Sequence, residues 1–120
     1  TNDYDNNING NISSEIKNLI NLEYLDLSGN MLSNEIPKEI GELSNLNFLH
    51  LGCNYLESEI PSEIGNLSSL ESLQLRHNNL SGEIPQQVCD LIENNNIDII
   101  NNNGYVNEIL DGNNLINTCE

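Results

Sequence analysis

Few side chains in this sequence have the type and spacing to do chemistry. Cys53 and His77 stand 77 − 53 = 24 residues apart, and His50 is the other histidine. A thiol beside an imidazole is a nucleophile with its base, and Cys53, His50 and His77 together are zinc ligands by type. No third group is placed to orient the imidazole, and an open surface makes a poor closed tetrahedral site. Gly-rich phosphate loops, CxxC pairs and Ser-His-Asp arrangements do not occur. The expectation is a chain with no catalytic residue, no cofactor and no metal. Cys53 then reads as a small residue tolerated in a turn, or as a thiol open to oxidation.

The whole composition narrows the alternatives. Nineteen acidic residues face three basic ones in 120, for a net charge of −16. Nucleic acid is excluded as a natural partner, because Lys17, Lys38 and Arg76 cannot build a basic stripe against phosphate. No stretch approaches the roughly 18 consecutive apolar residues that span a bilayer. Apolar content is 37%, with one Phe and four Tyr, so Leu and Ile must supply the core. A chain of this length suits a single domain.

What positions these side chains is a repeat. Leu22, Leu46 and Leu70 follow one another at 46 − 22 = 70 − 46 = 24 residues, as do Leu25/Leu49/Leu73, Leu27/Leu51/Leu75 and Asn30/Asn54/Asn78. Leu32/Leu56/Leu80, Ile36/Ile60/Ile84, Pro37/Pro61/Pro85, Ile40/Ile64/Val88 and Leu43/Leu67/Leu91 keep the same interval. A fixed period means stacked, near-identical coils. Leu-x-Leu alternates as a strand with one buried face does, and stacking such strands about 4.8 Å apart makes a parallel sheet over a continuous aliphatic interior. The Asn after each strand can satisfy the backbone groups of an inward turn, forming a ladder through the coils. Ile-Pro fixes an extended segment. Ile-Gly-x-Leu suits a short helical turn ended by glycine.

These residues resemble the plant-type leucine-rich repeat, LxxLxLxxNxLxGxIPxxIGxLxx. The resemblance is close over 22–91 and partial over Asn6 to Leu19. It implies an α/β fold: a short right-handed horseshoe solenoid with a parallel concave β-sheet and mostly 3-10 or turn structure on the convex side. The expected organisation is one domain over 1–120, with a partial first repeat over 1–21, three regular repeats over 22–91 and a degenerate capping repeat over 92–120. The glycine of LxGxIP survives only as Gly82, being Asn34 and Ser58 elsewhere. The paired-cysteine N-terminal cap of secreted members is missing, which marks Thr1 as the start of an excised fragment or of a mature chain from a less typical branch.

An open solenoid must cover its terminal leucines. Ile97, Ile99 and Ile100 predict a final strand, with Asn102 on the ladder and the pattern decaying beyond it. Cys89 replaces the glycine of the last regular unit, and Cys119 lies where a disulfide would pin the cap to the final coil, an arrangement that resembles secreted members. Two free thiols inside a cell are the alternative. Asn11, Asn66 and Asn79 begin sequons and permit glycosylation if the chain is exported. The uncovered edge over Thr1 to Asn21 invites a homo-oligomer.

Between the fixed leucines, the outward positions vary. One column reads Tyr24, Phe48, Ser72, Asn96; the next reads Asp26, His50, Gln74, Asp98; the following ones read Ser28, Gly52, Arg76, Ile100 and Gly29, Cys53, His77, Asn101. A frame that repeats while its outward positions differ is suited to presenting a surface, and aromatic anchors are enriched at interfaces. Tyr24, Asp26, Phe48, His50, Gln74 and Arg76 are therefore the expected contacts for a protein or peptide ligand. The resemblance implies a secreted or cell-surface protein, with ligand recognition favoured over enzyme inhibition. A spacer within a longer solenoid is the alternative. Glu35/Glu59/Glu83 and Glu15/Glu39/Glu63 would stack like charges about 5 Å apart on adjacent coils, splaying into water, bridged by a divalent cation or facing a basic partner.

Overall fold

The computed structural model describes residues 8–97 and 111–119. Each coil carries two short strands, so two parallel sheets run along the solenoid. The concave sheet has the order β2 (Tyr24–Asp26), β4 (Phe48–His50), β6 (Ser72–Gln74). The second sheet has the order β1 (Asn9–Gly10), β3 (Met31–Glu35), β5 (Tyr55–Ser58), β7 (Asn79–Glu83), β8 (Asn114–Ile116). Strand-forming Leu-x-Leu builds the first. The extended segment that leads into Ile-Pro builds the second.

The sheets differ in register. Tyr24 pairs with Phe48 and Phe48 with Ser72, a step of 24 that matches the repeat. In the second sheet Asn9 pairs with Met31 and Ser33 with Tyr55, a step of 22. That slip corrects the expected glutamate column: Glu35 lies level with Glu57, so Glu35, Glu59 and Glu83 are offset along their strands rather than stacked. Glu15, Glu39 and Glu63 each fall in the first turn of a 3-10 helix, Ser14–Asn18, Lys38–Glu42 and Ser62–Asn66, where unpaired N–H groups favour a carboxylate.

Between the sheets and the 3-10 helices lies a single aliphatic core. Leu43, Leu46, Leu49, Leu51, Leu56, Ile64, Leu67, Leu75 and Leu80 are fully buried. The ladder holds as expected. Asn54 Oδ1 accepts from Leu32 N–H at 3.0 Å while its Nδ2 donates to Leu27 and Leu51 carbonyls at 2.9 and 3.1 Å. Asn78 repeats the pattern on Leu56, Leu51 and Leu75. Each side chain thus ties the exit of a concave strand to the start of a strand in the second sheet.

The 3-10 helices close at Leu43 and Leu67, and Gly41 and Gly65 lie inside them. Their glycines serve packing rather than termination. A methyl group on Gly41 would collide with the Glu63 carbonyl of the next coil, and one on Gly65 would lie 2.7 Å from Gln87 Cβ. Cys89 takes the equivalent place in the last regular coil, and there the backbone continues as α1 (Gln86–Asn94). Asn34, Ser58 and Gly82 share a left-handed conformation, with φ of 64, 71 and 82°. The LxGxIP glycine position thus keeps its backbone even where the glycine is gone.

Of the residues expected to form a final strand, only Ile97 falls among the described residues, and it lies outside any strand. Asn96 has left the concave column for a left-handed turn (φ 49°) after α1, and Ile97 is buried behind it. Ile99, Ile100 and Asn102, with the column members Asp98 and Asn101, fall outside the described residues. The pattern resumes rather than decays: Asn113 accepts from Leu80 N–H at 2.9 Å and donates to the Leu75 carbonyl at 3.0 Å, so it is the fourth rung. β8 follows it, with Ser81 level with Asn114. Cys119 is joined to Cys89 by a disulfide with Cα atoms 5.3 Å apart.

Candidate recognition surface on the concave sheet

Outward residues of β2 and β4 meet because the 24-residue register leaves them level. The rings of Tyr24 and Phe48 lie 5.0 Å apart, tilted by 38°, and Phe48 meets His50 edge-on at 5.6 Å. Tyr24 also faces His50 at 6.4 Å, which makes a three-ring cluster. Tyr24 is 55% exposed, while Phe48 and His50 are half-buried. An aromatic body with an open face is the kind of anchor that binding partners cover.

Polar groups orient this cluster. His50 Nε2 and Ser72 Oγ are 2.8 Å apart, so β6 fixes the imidazole through a hydrogen bond. Asp26 is level with His50, and His50 with Gln74. Asp26 Oδ1 accepts from the Ser28 hydroxyl at 2.5 Å and from the Ser28 N–H at 3.0 Å. Partial burial alone would raise the Asp26 carboxyl, but these two hydrogen bonds and the nearby His50 outweigh it. The carboxyl is held below its ordinary value. One oxygen is thereby committed to the turn, and the carboxylate is fixed in direction.

Of the six expected contacts, Tyr24, Phe48 and His50 are in mutual contact, with Asp26 and Gln74 level with His50 on either side. The Arg76 stem packs beside Gly52, where an added Cβ would lie 3.5 Å from Arg76 Cγ and 3.1 Å from Gln74 Oε1. Ser28, Ser72 and Gly52 are the supporting residues that sequence reasoning passed over. All three stand in the same outward columns, where a small or hydroxyl residue beside a charged or aromatic one was the available signal.

Cys53 and His77 both adopt left-handed backbone, φ 58 and 56°, and line a small hollow of about 310 Å³ with Gly29, Asn54 and Tyr55. They belong to the turn before each ladder Asn. Among the described residues no group of three or more His, Cys, Asp or Glu is placed to hold a metal ion. A larger groove, about 1190 Å³, lies elsewhere, along the Ile-Pro segments of the second sheet. Glu35, Glu39, Glu59, Glu63 and Glu83 border it, with Lys38 as its cation. Its glutamates recur with the repeat, whereas the concave ring cluster is built from residues that break it.

With stacked parallel strands, an Asn ladder and 3-10 turns in place, family membership follows from comparison. The Leucine Rich Repeat family model matches 21–43, 45–67 and 69–91. The chain belongs to the leucine-rich-repeat family. Solved structures similar to this leucine-rich-repeat chain include a BIR3–SERK2 complex from Arabidopsis thaliana, with a TM-score of 0.75 and 35% identity over 92% of this chain and 52% of that one. The Arabidopsis thaliana BIR2 ectodomain has a TM-score of 0.74 and 31% identity, over 92% and 52%. The Arabidopsis receptor kinase HAESA, solved with the peptide hormone IDA and the co-receptor SERK1, has a TM-score of 0.68 and 38% identity, over 71% and 14%. The repeat chain spans about half the length of the first of these or less. Comparison with curated protein sequences finds no match. None of the described helices is long and apolar enough to cross a membrane.

Proposed function

We infer that this repeat domain is a non-enzymatic module that recognises a protein or peptide ligand through its concave sheet, at Tyr24, Asp26, Phe48, His50, Gln74 and Arg76. The observation that carries this reading is the exposed ring cluster of Tyr24, Phe48 and His50 on a frame that is otherwise uniform. The outer faces of these rings remain in water, and covering them is favourable. The similar solved chains include a receptor kinase with a peptide hormone and a co-receptor, and a BIR3–SERK2 complex, and that supports the same class of partner here.

An extracellular or cell-surface setting accompanies the reading. The Cys89–Cys119 disulfide is at home in an oxidising compartment, and the sequon residues Asn11, Asn66 and Asn79 are all exposed. Selection from a displayed peptide library on the wild-type chain, counter-screened on a Tyr24→Ala/Phe48→Ala variant, tests the function. The expected result is a set of wild-type binders that the variant loses while its melting temperature stays unchanged. Binders that are indifferent to the substitution would overturn it and favour the spacer.

A further inference from the structure

β2 is the edge strand of the concave sheet among the described residues. Phe48 covers one side of the Tyr24 ring, 5.0 Å away, and the rest of this half-exposed ring meets solvent. Two residues along the same strand, and so on the same face, is the exposed carboxylate of Asp26. Ser28 holds its Oδ1 by two hydrogen bonds. An aromatic face presents negative potential, and a fixed carboxylate beside it presents a full negative charge.

We propose that Tyr24 and Asp26 form the docking point for an arginine of the partner, its guanidinium lying on the Tyr24 ring and donating to Asp26. This deepens the recognition reading and rests on it. Arginine fits better than lysine, because a planar cation can stack on the ring while its N–H fork reaches the carboxylate. Charge complementarity selects the cation over an anionic or apolar group: the chain carries −16, and the free oxygen of Asp26 is an acceptor with no donor role.

The test is an amide-resolved NMR titration of the whole chain with N-acetyl-arginine N-methylamide, compared with its lysine and citrulline counterparts. Shifts are expected to centre on Tyr24, Asp26 and Ser28, with arginine ahead of lysine and citrulline weakest. Asp26→Asn is expected to weaken the arginine response about tenfold, and Tyr24→Leu about two- to thirtyfold, while Tyr24→Phe retains it. Unchanged spectral dispersion checks that each variant is folded. Shifts centred on Glu35, Glu59 and Glu83, or an Asp26→Asn variant that responds as the wild type does, would overturn the proposal by reducing it to attraction by an acidic surface. Either failure leaves intact the peptides lost by the Tyr24→Ala/Phe48→Ala variant, so the docking point and the recognition reading fail separately.

Discussion

The two sheets of the solenoid are made by the same repeat yet carry different surfaces. On the second sheet, the outward positions near the Ile-Pro segments recur, and Glu35, Glu59 and Glu83 come round with each coil. On the concave sheet Tyr24, Phe48 and Ser72 occupy one level row in which no residue recurs. The interior demands sameness, because each coil must bury the same leucines against the next. Outward positions escape that demand, and divergence there marks the face under a separate requirement. The register difference adds to this: a step equal to the repeat lines up the concave side chains, whereas a step two residues shorter disperses those of the second sheet.

If the sheets are separable in role, their joints and their surfaces respond differently to substitution. The largest effect is expected from Cys119→Ser, which releases the segment carrying β8 and the last ladder rung from α1. With a sequence separation of 30 between the cysteines, the chain-entropy model puts the loss of stability at about 3 to 4 kcal/mol, measured by denaturant unfolding. The ladder comes next. Asn54→Ala leaves the Leu32 N–H inside the core without a partner and removes one of the two amide donors on each of the Leu27 and Leu51 carbonyls, which keep Asn30 and Asn78, for an expected loss of about 1 to 3 kcal/mol. Because Asn54 joins both sheets, hydrogen exchange is expected to rise in β3 and β4 together; a rise in one alone would break the link drawn between them.

Smaller substitutions sharpen the contrast. Ser58→Gly relieves a left-handed serine in the second sheet and is expected to stabilise by about 0.5 kcal/mol, with Asn34→Gly giving less because asparagine tolerates that region. On the concave sheet, Ser28→Ala removes one hydrogen bond to Asp26, so its carboxyl is expected to titrate at higher pH in a carboxyl NMR titration. The sign follows from a folded-state value lying below the ordinary one. Asp26 contributes stability above the ordinary carboxylate range and loses it as pH falls through its own lowered value, and Ser28→Ala makes that acid-side loss smaller.

Leucine spacing was enough to read the solenoid, the Asn ladder and the concave sheet, because every coil repeats the same burial problem. The same arithmetic put Tyr24 level with Phe48 and Asp26 level with His50, for the same reason. What escaped was whatever broke the period. Leu110-Asp111-Gly112-Asn113-Asn114-Leu115 matches Leu75-Arg76-His77-Asn78-Asn79-Leu80 in its Leu, Asn and Leu positions, but at 113 − 78 = 35 residues rather than 24, so a fixed frame placed the rung at Asn102. The register of the second sheet was hidden because it depends on strand slip rather than on repeat length. Gly41 and Gly65 looked like helix stops since their close neighbours, Glu63 and Gln87, are distant in sequence. Ser72 escaped because its role is to hold a histidine one coil away.

The central claim is that the concave sheet, rather than the acidic groove of the second sheet, is where the partner binds. Mapping a library-selected peptide by amide shifts on the intact chain tests this most directly. Perturbations confined to Tyr24–Asp26, Phe48–His50 and Ser72–Gln74 are the predicted result. Perturbations that cluster on Met31–Glu35, Tyr55–Ser58 and Asn79–Glu83 instead would contradict it.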